Sequence, residues 1–388
     1  LFSKTVLILY VYSSSCDISL FSHGEGILAA ITADTITNYA GGEFTNKGKL
    51  VIGVDNIGKE ITNLKDMELS GSAAGSALNY DIKAEKYLEA ALGTLTITSG
   101  KVILSNTNTI TQNKLVINNG AELDTYLNKL SITDNGTSGI DNSGTLLLDV
   151  ANTFALQNTI TDSGNSGKLI VNSGAITNVG DSSKAITQKQ LEVKLDASLK
   201  TDIEKLTLSD TLTNNGTLEL QVNTDGGVTL GYAIAGSDGK LIVSGGKINN
   251  TNNKAISQKD LQIKNLAELR TDIANLTVSS DEISNEGTLT LLATTAATLS
   301  DKLSGTGTLV IETTHADGLT IGNTIANNVE IKSGTKVIDT TEGKVISGNI
   351  VNKGTLQTIV TNIGSGLENT GTVEFVADGT MNKEISGN

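Results

Sequence analysis

The sequence predicts an all-β chain, a right-handed parallel β-helix (solenoid) with short helical inserts. Three observations carry that expectation. A short glycine-marked strand motif recurs along most of the 388 residues. The composition has no Pro, no Trp and only 3% aromatics, with Thr, Asn, Ser, Gly, Leu and Ile dominant. Leucines also recur at a helix-like spacing in the longer intervals between motifs, up to about residue 308.

The motif has the form Asn-x-Gly-Thr/Lys-Leu-x-apolar. It stands at Asn46-Lys47-Gly48-Lys49-Leu50-Val51-Ile52, at Asn142-Ser143-Gly144-Thr145-Leu146-Leu147-Leu148 and at Asn165-Ser166-Gly167-Lys168-Leu169-Ile170-Val171. Further copies begin at Asn214, Asn285, Asn352 and Asn369, and variants at Ser237 and Gly305 keep the glycine alone. Beyond Gly144 the motif glycines alternate short and long steps, the long about twice the short, giving repeats of about 65–72 residues. Three coils per repeat follow, one of them lacking the glycine. Asn and Gly accept positive φ, so each pair is predicted to turn the chain sharply into a strand. In that strand Leu218 and Leu220 point one way and Thr217 and Glu219 the other. So short a strand cannot bury its apolar face alone. Stacking on the next coil buries it and pairs the backbone in a parallel ladder. Proline would remove a ladder donor, which fits its absence.

The second element is predicted as a helix of about two turns. Leu88, Leu92 and Leu95 fall at i, i+4, i+7, as do Leu123, Leu127 and Leu130; Leu199, Ile203 and Leu206; and Leu269, Ile273 and Leu276. Residues 168–239 and 240–307 are close copies of each other. With coils about 4.8 Å apart, some 15–17 of them predict a rod of roughly 70–80 Å.

Two regions follow. Residues 46–388 form the repeat domain. Residues 1–45 are atypical: the apolar run Val6 to Tyr12, followed by Ser13-Ser14-Ser15-Cys16, reads as a signal remnant, as a lipidated cysteine or as a first strand capping the repeats. A chain opening on Leu1 rather than Met reads as a piece of a longer one. No run elsewhere approaches the length of a transmembrane helix.

The net charge is −14 and Arg270 is the only arginine. That argues against nucleic acid, which needs clustered cations, and against anionic lipid. A single cysteine, Cys16, rules out an intrachain disulfide, but repeat proteins spread their stability over many interfaces instead.

The runs Leu303-Ser304-Gly305-Thr306-Gly307-Thr308-Leu309-Val310-Ile311, Asn215-Gly216-Thr217-Leu218-Glu219-Leu220 and Asn352-Lys353-Gly354-Thr355-Leu356 resemble the strand repeats of bacterial autotransporter passenger domains. The resemblance covers roughly residues 45–380, by pattern. It implies export across the outer membrane, a cell-surface or extracellular location, and a role in adhesion. The partners implied are glycans or proteins of a host or matrix, or neighbouring cells. The helical inserts depart from that family's usual repeat. Residues 370–388 hold one aromatic, Phe375, and no set of barrel strands.

Catalytic signatures are sparse. His23 lies in the atypical start, and His315 has no evident nucleophile beside it. Acid pairs such as Asp339 with Glu342, or Asp225 with Asp238, are unremarkable among 42 acids. No phosphate loop, zinc spacing or calcium nonapeptide occurs, so no cofactor is expected. The candidate partner-binding residues are the polar groups of the expected helices: Lys200, Asp202, Glu204 and Lys205, and their equivalents Glu268, Arg270 and Asp272. Repeated along one side, they would form a multivalent array; the plainer reading is a solvated face. The function expected is a non-enzymatic, adhesin-like surface or secreted repeat protein. A β-helical polysaccharide lyase or hydrolase and a purely structural stalk are the rivals.

Overall fold

The computed structural model describes residues 30–33, 44–46, 49–57, 60–63, 66–83, 93–133 and 139–387. Cys16, His23, Leu88, Leu92 and Gly48 lie outside them, as does most of segment 1–45. The chain divides into two compact units, Leu1–Gly174 with Lys184–Lys189, and Ala175–Ser183 with Gln190–Asn388. Each is a parallel β-solenoid.

In the first unit one ladder climbs through Ala30–Ala33, Lys49–Gly53, Asp66–Ser70, Thr94–Leu104, Lys114–Ile117, Ile140–Asn142, Ile160–Thr161 and Ile186–Gln188, every pairing parallel. A second runs from Phe44–Asn46 through Ile61–Asn63, Ile82–Lys83 and Ile110–Gln112 to Leu130–Ile132. In the second unit, Ala197–Asp202 stacks under Thr217–Gln221, then under the first half of Lys240–Asn250, then under Asp260–Ile263 and Glu282–Asn285. The predicted stacking of leucines is present, but it takes in strands without the motif glycine: Leu199, Leu218, Leu241 and Leu261 sit directly above one another and all are buried, while Leu289 stacks with Leu269 and Leu309 in a separate column. Leu169 and Leu289 are buried as well. Burying each such leucine stabilises the fold by about 1.5–3 kcal/mol.

The helices expected over residues 123–130, 199–206 and 269–276 are absent, and the one expected from Leu88 lies outside the described residues. Among the described residues there is no α-helix. Leu199, Ile203 and Leu206 belong to a strand (Ala197–Asp202), one 3₁₀ turn (Ile203–Lys205) and a second strand (Leu206–Leu208). The same sequence of elements holds at Leu127–Lys129 and Ile273–Asn275. The helical spacing is an accident of geometry. Alternation places Ala197, Leu199 and Thr201 inward, and the corner turn adds Ile203 and then Leu206. The cue against a helix is Thr201: a helix would turn it away from Leu199, whereas a strand sends both inward.

The reason for the motif glycine also differs from expectation. Gly144, Gly216, Gly287 and Gly354 do not have positive φ. A Cβ on each would instead collide with two carbonyl oxygens of the coil below, at 2.2 and 2.3 Å for Gly216. A Cβ on Gly167 or Gly239 would likewise lie 2.0 Å from the carbonyl oxygen of Asn142 or Asn214. The glycine therefore answers to the spacing between coils rather than to the turn. Positive φ does occur at the first motif position in Asn165 (φ +52) and Gly305 (φ +96), and it is used outside the motif as well. At Gly246 (φ +59) the eleven-residue strand Lys240–Asn250 bends from one ladder into the next.

The motif asparagines Asn142, Asn214, Asn285 and Asn352 are polar groups of the interior, whereas Asn165 is exposed. Asn142 Nδ2 donates to Gln188 Oε1 at 2.6 Å and to the Lys168 carbonyl at 3.0 Å. Asn214 repeats this with Gln258 and Lys240, at 2.5 and 3.0 Å. The glutamine of Ile-Thr/Ser-Gln, two coils above, is thus the partner of the motif asparagine.

Candidate functional site

The candidate residues sit on the outward edges and corners of these coils. Alternation within Ala197–Asp202 turns Lys200 outward, where its ammonium lies 2.7 Å from Glu219 of the next coil. Lys264 approaches the other oxygen of Glu219 at 3.2 Å. Burial opposes ionisation of Glu219, but Lys200, Ser244 and Lys264 outweigh it and hold its carboxyl below the ordinary value. Glu268 pairs with Lys247 at 2.7 Å, and Arg270 with Glu312 at 2.6 Å. Glu330 is shared by Lys332 and Lys353, each at 2.8 Å, and these two hydrogen bonds lower its pKa.

Asp202 and Asp272 are not on an outer face. Both are buried at the strand-to-turn corner. Asp202 accepts from the Gly180 amide at 3.0 Å. Asp272 accepts from Ala274 N at 2.9 Å and from Thr294 Oγ1 at 2.7 Å. A helix would have exposed these carboxylates; the corner turns them onto backbone donors of neighbouring segments. Glu204 accepts from the amides of Asn223 and Thr224 at 2.9 and 3.2 Å and so clasps the loop of the next coil. Lys205 is exposed.

The two copies of this set do not line up. Leu191 lies beneath Leu212, Ile234 and Ile256, so three coils climb over 65 residues, from 191 to 256. Its repeat counterpart, Leu261, comes 70 residues on, from 191 to 261. The difference is one strand, so each repeat advances by one ladder. Lys200 stands in the column Lys200, Glu219, Ile242, Gln262. Arg270 stands in the column Asn249, Arg270, Thr290, Val310, on the ladder beyond the Gly246 bend. Equivalent charges therefore step around the second unit instead of forming one linear array.

His315 is in a turn closed by Gly318 N to His315 O at 3.0 Å, and its Nδ1 lies 3.7 Å from the exposed Asp317. Asp339 is fully buried while Glu342 is exposed, so they are not a pair, and Asp225 and Asp238 are both exposed. The fold also brings together Asp301 and Asp281, two acids that no motif relates. Burial raises the pKa of Asp301, and the charge of Asp281 raises it further. The signal was available only as the 20-residue step between corresponding corners. Among the described residues no three His, Cys, Asp or Glu side chains are grouped to hold a metal ion, and no helix is long and apolar enough to cross a membrane.

The fold defines a class, the parallel β-solenoid with charged side chains paired from coil to coil. No protein-family model matches the chain, and neither a curated protein nor a solved structure is significantly similar to it.

Proposed function

We propose that the protein is a non-enzymatic surface or secreted repeat protein, an adhesin-like passenger that presents an extended face to glycans or proteins. The observation behind this reading is the state of its outward charges. Lys200, Lys247, Lys264, Arg270, Lys332 and Lys353 are each engaged by a carboxylate, in all but Lys332 one or two coils away. Such a surface is rigid and patterned, and suits shape recognition over many weak contacts. Export through the outer membrane is part of the same proposal and rests on the strand-repeat resemblance.

The test is to incubate the purified chain with immobilised glycans and matrix proteins, and in parallel with soluble polysaccharides. Saturable binding with no release of reducing ends or unsaturated sugars is expected. Cleavage would overturn the proposal in favour of a polysaccharide-degrading enzyme, with Asp301 and Asp281 the acids to substitute first. Absence of binding across the panel would leave the structural stalk. Labelling of intact cells by antibody against the repeats tests the location.

A further inference from the structure

Thr125, Thr201 and Thr271 occupy one recurring interior corner, and all are fully buried. Each hydroxyl lies 3.3 Å from the carbonyl of the next residue and donates its single proton there. Thr201 and Thr271 are thereby left as acceptors. Each receives an amide proton from the asparagine one coil below, Asn178 at 3.1 Å and Asn250 at 3.0 Å. The pattern is donor below, threonine, carbonyl.

Nearer the carboxyl end the pattern returns with one change. Thr358 stacks on residue 339 in the same register in which Thr271 stacks on Asn250. Thr358 Oγ1 is again close to the next carbonyl, that of Ile359, at 3.2 Å. The residue below is not asparagine but Asp339, whose Oδ2 is 3.2 Å from the same hydroxyl. One proton on Thr358 cannot serve both oxygens. If it follows the other three corners and goes to the carbonyl, the hydrogen between Asp339 and Thr358 must come from the acid. Oδ1 is already an acceptor, taking Asn362 Nδ2 at 3.0 Å. The count closes with Oδ2 protonated and donating; with Oδ2 ionised it closes only if Thr358 turns its proton from the Ile359 carbonyl to the carboxylate.

We propose that Asp339 is a neutral acid within the solenoid and acts as a proton-operated latch: protonated, it donates to Thr358 and ties the coil at Lys336–Asp339 to that at Thr355–Thr358; ionised, it leaves a charge buried among uncharged groups, draws the Thr358 proton away from the Ile359 carbonyl and loosens the two coils.

The groups facing it are uncharged. They are Thr358 above, Asn362 at the corner and, with the register carried one residue further, Ile321 below. The next acid along the chain, Glu342, is exposed. Burial pushes the Asp339 carboxyl up to about 7, against the lowering effect of Asn362 and Thr358. The sign is that of a group with a raised folded-state pKa: its stabilisation is complete below the unfolded value of 3.8 and is lost as pH rises through about 7.

The test is amide hydrogen exchange of the full chain between pH 4 and 8, corrected for intrinsic rates and read at Lys336–Asp339 and Thr355–Thr358. Each pKa unit between folded and open states is a factor of ten, so opening of these segments is expected to rise at least tenfold and at most about 1000-fold over that range. Asp339→Asn supplies the amide donor used at Asn178 and Asn250. It should keep protection at its acid-pH level throughout and abolish the pH dependence. A carboxylic acid C=O infrared band present at pH 5 should vanish in the variant. A flat wild-type profile, a variant that retains the pH dependence, or a missing acid band at pH 5 would each overturn the latch.

Discussion

Replacing Gly216 by alanine would place a methyl carbon 2.2 Å from the Lys194 carbonyl oxygen and 2.3 Å from that of Ala197. Both oxygens belong to the backbone of the coil below and cannot swing aside. Relief needs the coils to part by about 1 Å, which strains the bonds from Asn215 N to Val193 O and from Lys240 N to Gly216 O, each 2.8 Å. Overpacking costs about 1–3 kcal/mol, and weakening two ladder bonds about 1 kcal/mol between them. The expected loss is about 3 kcal/mol, roughly a 100-fold rise in opening of Thr217–Gln221. Two controls separate crowding from backbone conformation. Gly180 has φ +80 and open space, so alanine there should cost about 1–2 kcal/mol. Gly226 has open space and no positive φ, so alanine there should be neutral or slightly stabilising. Hydrogen exchange reads each site locally, as a repeat protein does not unfold in one step. If Gly216→Ala proved milder than Gly180→Ala, the close approach of coils would not be what the motif glycine serves.

Asn214→Ala removes the donor to buried Gln258 Oε1 and should cost about 1–3 kcal/mol by urea unfolding. Tyr232→Phe should leave stability unchanged or raise it by up to about 1 kcal/mol, because the hydroxyl is buried without a hydrogen-bond partner. Lys200→Ala should cost under about 1 kcal/mol, since Glu219 keeps Lys264 and the lysine is partly exposed. Glu219 and Glu330 have lowered pKa values, so their stabilisation is present above the ordinary value of 4.5 and is lost as pH falls below it. The temperature of thermal unfolding should therefore fall on the acid side, opposite in sign to the local effect at Asp339.

Much of the fold was legible because a coil solenoid repeats one local problem. Leu199, Leu218, Leu241 and Leu261 must be apolar, and the glycines before Leu218 and Leu241 must be small, so both leave a period in the sequence. The 3₁₀ corner was misread because i, i+4, i+7 describes a helix and also a strand that turns a corner. Inward Ala197 and Thr201 distinguish the two only once the inside is known. The polar groups were less legible. Asp202 and Asp339 read as ordinary acids, because nothing local tells a carboxylate which coil will lie over it.

The sequence by itself determined that short strands stack in parallel with leucines inward, since alternation and periodic glycine admit few other ways to bury those side chains. Only the tertiary structure decided what lies beside what. The 70-residue repeat exceeds three stacked coils by one strand, so equivalent residues rotate onto successive ladders. That offset comes from the backbone path at Gly246 and at the 3₁₀ corners, and it separates Lys200 from Arg270. The register of the coils likewise put Thr358 over Asp339, giving a carboxyl a place that asparagine holds elsewhere.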